Sequence, residues 1–367
     1  MKKKKILFIL NTYSFMSNSI NPKSSMVKIY KKFNEEDKTW ANFFYNKLKS
    51  NYYTEKDYPN LNRIILGSDK YLDFLENKIN KFKPNLIFSS TDDNKIHELI
   101  GKHKVMKKII WISYKLDEKK ILSLKNNYDY LVSDNNYILN LAKKNNFISF
   151  KMLISNELRS IFKIDNYLKR NEKIYFSGSL GNDFTNRLEY LLYMQENFEL
   201  KVRVRNLMES YKILNFLNLI LLKIFPTFTN YLYKNKLLPI TNKLKFINED
   251  EVFGKVMLDE LRRHKFCINI HSDFDKNNTI NARVFEALAC GCLLFTDENK
   301  FMRKIFKHKR HVIYFKSKND LKKKINYYRK NTKAAYKIAQ TGNQFFINKH
   351  QCKIRLNDFK RILKSIE

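Results

Sequence analysis

A chain of 367 residues exceeds one ordinary hydrophobic core and points to about two domains of roughly 150 to 200 residues. Hydrophobic residues make up 44% of it, with 29 Phe and 22 Tyr, which excludes a disordered chain. The formal net charge of +35 favours an anionic target. The lysines nevertheless run through every element beside Asn and Ile and form no module of clustered cations and stacking aromatics, so no nucleic-acid partner is expected.

The start MKKKKILFILNTYS carries an apolar run too short for a signal peptide and no small-residue cleavage site; it reads as a first β-strand, KILFIL (5–10). Further strand patterns follow at NLIFSS (85–90), KIIWISY (108–114), YDYLVS (128–133) and FKMLI (150–154). Amphipathic stretches at 71–81, with Leu72, Phe74, Leu75 and Ile79, and at 137–144 predict helices between them. Strands separated by helices predict a parallel, doubly wound sheet. The polar stretch 155–171 reads as a crossing linker.

A second α/β series then begins, with strand patterns KIYFSGS (173–179), ELKVRVR (199–205), KFCINIH (265–271), CLLFTD (292–297) and HVIYF (311–315). Helices are expected at 186–194, 251–263 and 281–290. Residues 206–242 interrupt this half with a run rich in Leu, Ile, Phe and Tyr, spaced by lysines and broken at Pro226. Its longest apolar stretch, 213–225, is too short to span a bilayer, but the pattern suits a helix lying on an anionic membrane surface or packed on its own domain. The expected organisation is therefore two tandem Rossmann-like domains, 1–160 and 170–345, with the insertion 206–242 and a C-terminal helix in 346–367 that crosses back to the first domain.

The four cysteines show no CxxC or Cys/His ligand spacing, which fits a reducing cytoplasm and no structural zinc. Three other features sit where strands meet helices. FSGSLGNDFTNR brings Gly178 and Ser179 before a helix that carries Arg187, where backbone N–H groups suit a phosphate; a Gly-Ser turn of no further consequence is the plainer reading. INIHSD ends a strand with His271 at a carboxyl edge, where open α/β sheets bind ligands. In NARVFEALACGCLLFTD, Asn281 stands at the cap of a helix on which Val284, Phe285, Leu288 and Ala289 form one face. Arg283, Glu286, Ala287 and Cys290 form the other, and Gly291 ends the helix. The plain reading of Arg283 and Glu286 is an (i, i+3) surface ion pair.

These elements together, KIYFSGS…NR, FCINIH, NARVFEALACGCLLFTD and HVIYFKSKNDLKKKINYY, resemble the C-terminal half of GT-B glycosyltransferases. The resemblance is closest to the group related to spore-maturation CgeB-type proteins and covers roughly residues 170 to 360. It implies an α/β GT-B fold with a ligand cleft between two Rossmann-like domains, and transfer of a sugar from a nucleotide-diphosphate donor without a metal or other cofactor. It implies that Glu286 accepts the ribose hydroxyls, that Arg283 faces the diphosphate, and that Gly178, Ser179, Arg187 and Asn281 line the nucleotide site, with His271 by the sugar or diphosphate. The acceptor would be a glycan, a lipid-linked or a protein surface structure reached from the cytoplasm, with peripheral contact to anionic membrane.

One position departs from the retaining members of the group: the second glutamate, eight residues before Glu286, is Asn278. That keeps a catalytically inactive sugar- or nucleotide-binding scaffold as the alternative, with a basic nucleic-acid-binding protein, suggested by the charge alone, a less favoured one. The acid/base residue would come from the first half, where Asp92 and Asp93 in SSTDDNK are the candidates, with Asp117 behind them; an aspartate just after a strand is equally suited to capping a helix.

Overall fold

The computed structural model describes residues 3–10, 40–114, 116–153, 164, 166–178, 185–204, 254–271 and 277–367. Ser179 and the insertion 206–242 lie outside the described residues, so the expectations attached to them are not addressed by it.

The first unit comprises residues 1–157 together with 351–367. Its six-stranded sheet has the order β2-β1-β3-β4-β5-β6 and every pairing is parallel. The strands are β1 (Lys5–Ile9), β2 (Tyr53–Asp57), β3 (Leu86–Ser89), β4 (Lys107–Ile112), β5 (Tyr130–Ser133) and β6 (Ser149–Lys151). Helices α1 (Trp40–Leu48), α2 (Pro59–Leu66), α3 (Ser68–Phe82), α4 (Asn94–Lys102), α5 (Glu118–Asn127) and α6 (Asn136–Lys144) connect them.

Period-two alternation divides the strand residues between two cores. Ile6, Phe8, Leu10, Leu86, Phe88 and Ile109 face one side, with Phe43 and Phe44 of α1. Leu7, Ile9, Ile87, Ile110 and Leu131 face the other, under Leu75 and Ile79 of α3, Ile96 and Ile100 of α4, and Leu124 of α5. Both faces are apolar because helices cover both. The two edge strands, β2 (YTEKD) and β6 (SFK), have no apolar run; the last residue of β2, Asp57, is buried and accepts from the Tyr71 hydroxyl (2.8 Å) and Lys78 Nζ (3.2 Å).

The chain returns to this unit at its end. Helix α13 (Cys352–Ile366) adds Leu356, Phe359, Ile362 and Leu363 to the core around β1 and β3. Phe359 is stacked on Phe44 at 5.2 Å between ring centroids and meets Phe88 edge-on at 5.2 Å. The fold of the first unit is thus closed by residues some 200 positions away from the rest of it in the chain, roughly the length of the second unit.

The second unit, 158–350, has a five-stranded parallel sheet of order β11-β10-β9-β7-β8. Its strands are β7 (Asn171–Gly178), β8 (Leu200–Val204), β9 (His264–Asn269), β10 (Leu293–Asp297) and β11 (Ile313–Phe315). The helices are α7 (Thr185–Asn197), α8 (Gly254–Arg262), α9 (Ala282–Ala289), α10 (Lys300–Arg303), α11 (Lys318–Lys330) and α12 (Thr332–Lys349). One sheet face packs Phe176, Phe266, Ile268, Phe295 and Phe315 against Leu191 and Met194 of α7, Leu321 and Ile325 of α11, and Ala335 and Ala339 of α12. Helix α12 also approaches α9 closely: a Cβ on Gly342 would stand 2.5 Å from the His311 carbonyl oxygen and 2.8 Å from Leu288, so only glycine fits there. Among the described residues no helix is long and apolar enough to cross a membrane.

The packing of α13 gives the first test. Phe359→Ala removes a fully buried ring from the first unit and should cost about 3 to 5 kcal/mol there. Hydrogen exchange followed peptide by peptide should show protection lost in β1, β3 and α1 and retained in β9 and β10; equal loss in both units would contradict the division.

Candidate functional site

Helix α9 is the element around which the candidate site is built. Its Asn281 occupies the cap position in an extended conformation (φ −63°, ψ 140°), but the side chain makes no capping bond to the helix. Its Nδ2 instead donates to Asn269 Oδ1 at the end of β9 (3.1 Å). At the other end Gly291 takes φ +66°, and a Cβ there would stand 2.4 Å from Ile164, which explains why glycine ends this helix.

Both faces of α9 are covered, not one. Glu286 and Ala287 are buried along with Val284, Phe285, Leu288 and Ala289. Cys290 is also buried, with its thiol 3.6 Å from the Leu258 carbonyl of α8. The small side chain of Cys290 therefore admits α8 on the polar face. Burial pushes the Cys290 thiol well above its ordinary value and that of Cys292 up to about 12, so neither is poised as a nucleophile.

Arg283 and Glu286 form an ion pair, Nη1 to Oε2 at 2.6 Å, with side chains only 19% and 8% exposed. The plain expectation of an exposed pair is thereby corrected: this pair is largely withdrawn from water, where desolvation makes each charge dependent on the other. Arg283 Nε also donates to the Ser177 carbonyl of β7 (3.1 Å), and Nη1 touches the Met257 sulfur. The guanidinium thus lies between α9 and the end of β7, the strand that closes with Gly178.

Arg187, near the start of α7, is buried and donates from Nε (3.1 Å) and Nη2 (2.7 Å) to the Ile270 carbonyl just past β9. Its guanidinium lies over the Phe176 ring, 5.8 Å from the centroid, and Nη1 would be 3.5 Å from a Cβ on Gly178. The structure therefore gathers Gly178, Arg187, Arg283 and Glu286 at the carboxyl edge of the second sheet. Asn278 stands in a turn before α9.

His271, one residue beyond Ile270, is 1% exposed and its Nδ1 lies 2.7 Å from Asp297 Oδ1. The backbone N–H of His271 donates to the same oxygen (3.1 Å). Asp297 ends β10, and beside it Thr296 accepts from Asn269 Nδ2 (3.1 Å), its register partner across the strands. Asp297, Thr296 and Asn269 were not singled out from sequence, although Asn269 and Thr296 are polar residues inside otherwise apolar strand runs, which is the visible signal for a buried cross-strand pair.

In the first unit Asp93 caps α4, its Oδ1 accepting from Lys95 N (2.9 Å) and Ile96 N (3.3 Å), while Oδ2 pairs with Arg63. Asp117 likewise caps α5 through Lys120 N (2.8 Å). Both fill the capping role that the sequence left open; Asp92 is the exposed neighbour of the pair.

Comparison with known proteins bears on the fold. Residues 233–361 match the model of a family described as glycosyl transferase-like. Solved structures of the same architecture include sucrose-phosphate synthase from Thermosynechococcus elongatus, at TM-score 0.64, 9% identity and 99% coverage of each chain. Anabaena HepE in complex with UDP and glucose aligns at TM-score 0.61 and 9% identity over 99% of this chain and 100% of that one. A glycosyltransferase from Rickettsia africae aligns at TM-score 0.58 and 14% identity over 100% and 99%. No curated protein sequence matches the chain. The GT-B layout expected from the sequence is the one these structures share; the narrower CgeB-type kinship stays an expectation.

The withdrawn ion pair makes a prediction of its own. Arg283→Ala leaves Glu286 without its guanidinium and should lower stability by about 3 kcal/mol, whereas a surface (i, i+3) pair would cost about 0.2 to 0.5. Urea titration with intrinsic fluorescence, comparing Arg283→Ala with the double change Arg283→Met and Glu286→Gln, should find the double variant the more stable of the two.

Proposed function

We propose that this GT-B glycosyltransferase binds a nucleotide-diphosphate sugar at the carboxyl edge of its second sheet and transfers the sugar to a hydroxyl-bearing acceptor. One observation carries the reading: a nearly buried Arg–Glu pair on α9, beside the end of β7, inside the segment that matches the glycosyl transferase-like family. Anabaena HepE, which shares the fold, holds UDP-glucose in a solved complex, and this supports UDP as the first probe.

The chemistry follows from the groups present. A carboxylate accepts two vicinal hydroxyls at once, which suits Glu286 to a ribose. The planar fork of Arg283 suits a diphosphate, whose negative charge grows as the sugar departs. Arg187 and Gly178 stand at the adjoining strand end, and Asp92 is the candidate to take the acceptor's proton. On this reading the leaving-group charge is met by guanidinium and backbone donors, and transfer needs no bound metal.

Calorimetry tests the assignment. Arg283→Lys, which keeps a cation beside Glu286 but loses the fork, should weaken UDP about tenfold and leave uridine unchanged. Glu286→Gln should weaken uridine and UDP alike, by about 10- to 150-fold, because a hydrogen bond to a charged group contributes about 1.5 to 3 kcal/mol. Wild-type turnover of a UDP-sugar should survive EDTA. Unchanged UDP affinity in both variants would make α9 ordinary scaffold, and binding without any turnover would favour the inactive scaffold instead.

We propose further that the acceptor lies at an anionic membrane or envelope surface, a reading supported by the lysine-spaced apolar run 206–242. Flotation with vesicles of anionic phospholipid should capture the full chain and lose a variant lacking 208–238; equal capture of both removes this part.

A further inference from the structure

The polar groups at the ends of β9 and β10 form one directed series. Asn281 Nδ2 donates to Asn269 Oδ1 (3.1 Å), and Asn269 Nδ2 donates to Thr296 Oγ1 (3.1 Å). Having accepted there, the Thr296 hydroxyl has its hydrogen for Asp297 Oδ1, a longer approach of 3.5 Å. The backbone N–H of His271 reaches that oxygen at 3.1 Å and His271 Nδ1 at 2.7 Å. Every donor in the series therefore runs toward Asp297, and none of these contacts requires Asp297 to give a proton back.

A carboxylate in that position accepts only, so the nitrogen facing it must carry the hydrogen. In a neutral imidazole this leaves Nε2 with the lone pair. Nε2 is buried and has no hydrogen-bond partner among the described residues. A buried acceptor without a partner is costly unless something else fills it, which here points to a ligand group.

We propose that Asp297 is a positioning residue that fixes His271 as the Nδ1–H tautomer, so that Nε2 accepts a hydrogen bond from a hydroxyl of the sugar-nucleotide donor. This rests on the donor site proposed above and narrows it. A lone pair at Nε2 repels phosphate oxygens, so the diphosphate belongs to Arg283 and a hydroxyl to His271. That hydroxyl comes from the ribose or from the transferred sugar. The series also ties His271 to Asn281 at the start of α9, linking the hydroxyl contact to the helix that carries Arg283 and Glu286.

The tautomer is read directly in full-length protein by long-range proton–nitrogen NMR of 15N-labelled histidines, with His271→Gln assigning the resonance. Wild type should show hydrogen on Nδ1 and a bare Nε2. Asp297→Ala, which removes the acceptor, should release the ring to a mixture of both neutral tautomers while thermal melting stays cooperative. Hydrogen on both nitrogens of the wild-type ring, or an unchanged single tautomer in Asp297→Ala, overturns the proposal.

Binding supplies the second arm. His271→Ala and Asp297→Ala should each weaken UDP-glucose about tenfold, and Asp297→Ala should add less than about twofold in the His271→Ala background. Equal weakening of UDP and UDP-glucose identifies the ribose hydroxyl; weakening of UDP-glucose alone identifies the transferred sugar. Wild-type affinity in both variants overturns the contact. If wild type binds neither UDP nor UDP-glucose, the donor assignment fails and the hydroxyl contact with it, while the tautomer measurement still decides the role of Asp297.

Discussion

A helix buried on both faces cannot hold a lone charge there, and α9 is so buried from Val284 to Ala289. Glu286 lies among Phe285, Ala287 and Leu288 with little water, so its negative charge is stable only beside a cation in the same enclosure. Arg283 supplies it one turn earlier, and its other contact fixes the end of β7 through the Ser177 carbonyl. The close packing that creates this demand comes from small residues: Gly342 lets α12 approach Leu288, and Cys290 lets α8 approach from another side. The site's electrostatics and its packing are thus one arrangement. A change to either charge alters how α9 sits, and a bulkier residue at Gly342 would push on the helix that carries the charges.

Much of this layout is legible in the amino-acid sequence because strands buried on both faces read as continuous apolar runs. KILFIL, CLLFTD and KFCINIH stand out for that reason, and each is a central or near-central strand. YTEKD does not stand out, since an edge strand needs no apolar run, and β2 is missing from the sequence reading. The helix 282–289 is legible from its capping asparagine and closing glycine. Its surroundings are not: periodicity shows which residues share a face but not that a second helix covers the face holding Glu286. The use of Asn281 is also beyond the pattern, because an asparagine before a helix looks like a cap whether it bonds the helix or, as here, Asn269.

The same limit applied to the aspartates. Asp92 and Asp93 are adjacent after β3, and residue type alone gives both the same standing as an acid or base. Geometry separates them: Asp93 spends one oxygen on two amides of α4 and the other on Arg63, while Asp92 is exposed. Conversely Asp297 looks unremarkable at the end of CLLFTD, and acquires its importance only because parallel pairing sets Thr296 against Asn269 and brings His271 over the carboxylate. Cross-strand register is a long-range fact, and a single chain carries it only as two polar residues placed where apolar ones would be expected.

An internal Arg–Glu pair also sets how a ligand can be held. On the proposed donor assignment, a diphosphate approaching Arg283 would meet not a solvated, mobile side chain but a guanidinium already fixed by Glu286 and the Ser177 carbonyl. The entropy of ordering that side chain, up to about 2 kcal/mol for an arginine, is spent when the protein folds and not when the ligand arrives. Against this, any hydrogen bond a ribose makes with Glu286 competes with the pair, so the net gain is smaller than a count of contacts suggests. The two effects act on different parts of the ligand. On the proposed donor assignment, preorganisation would favour the diphosphate end and competition would weaken the ribose end, so binding strength would be spent where charge develops as the bond to the sugar breaks.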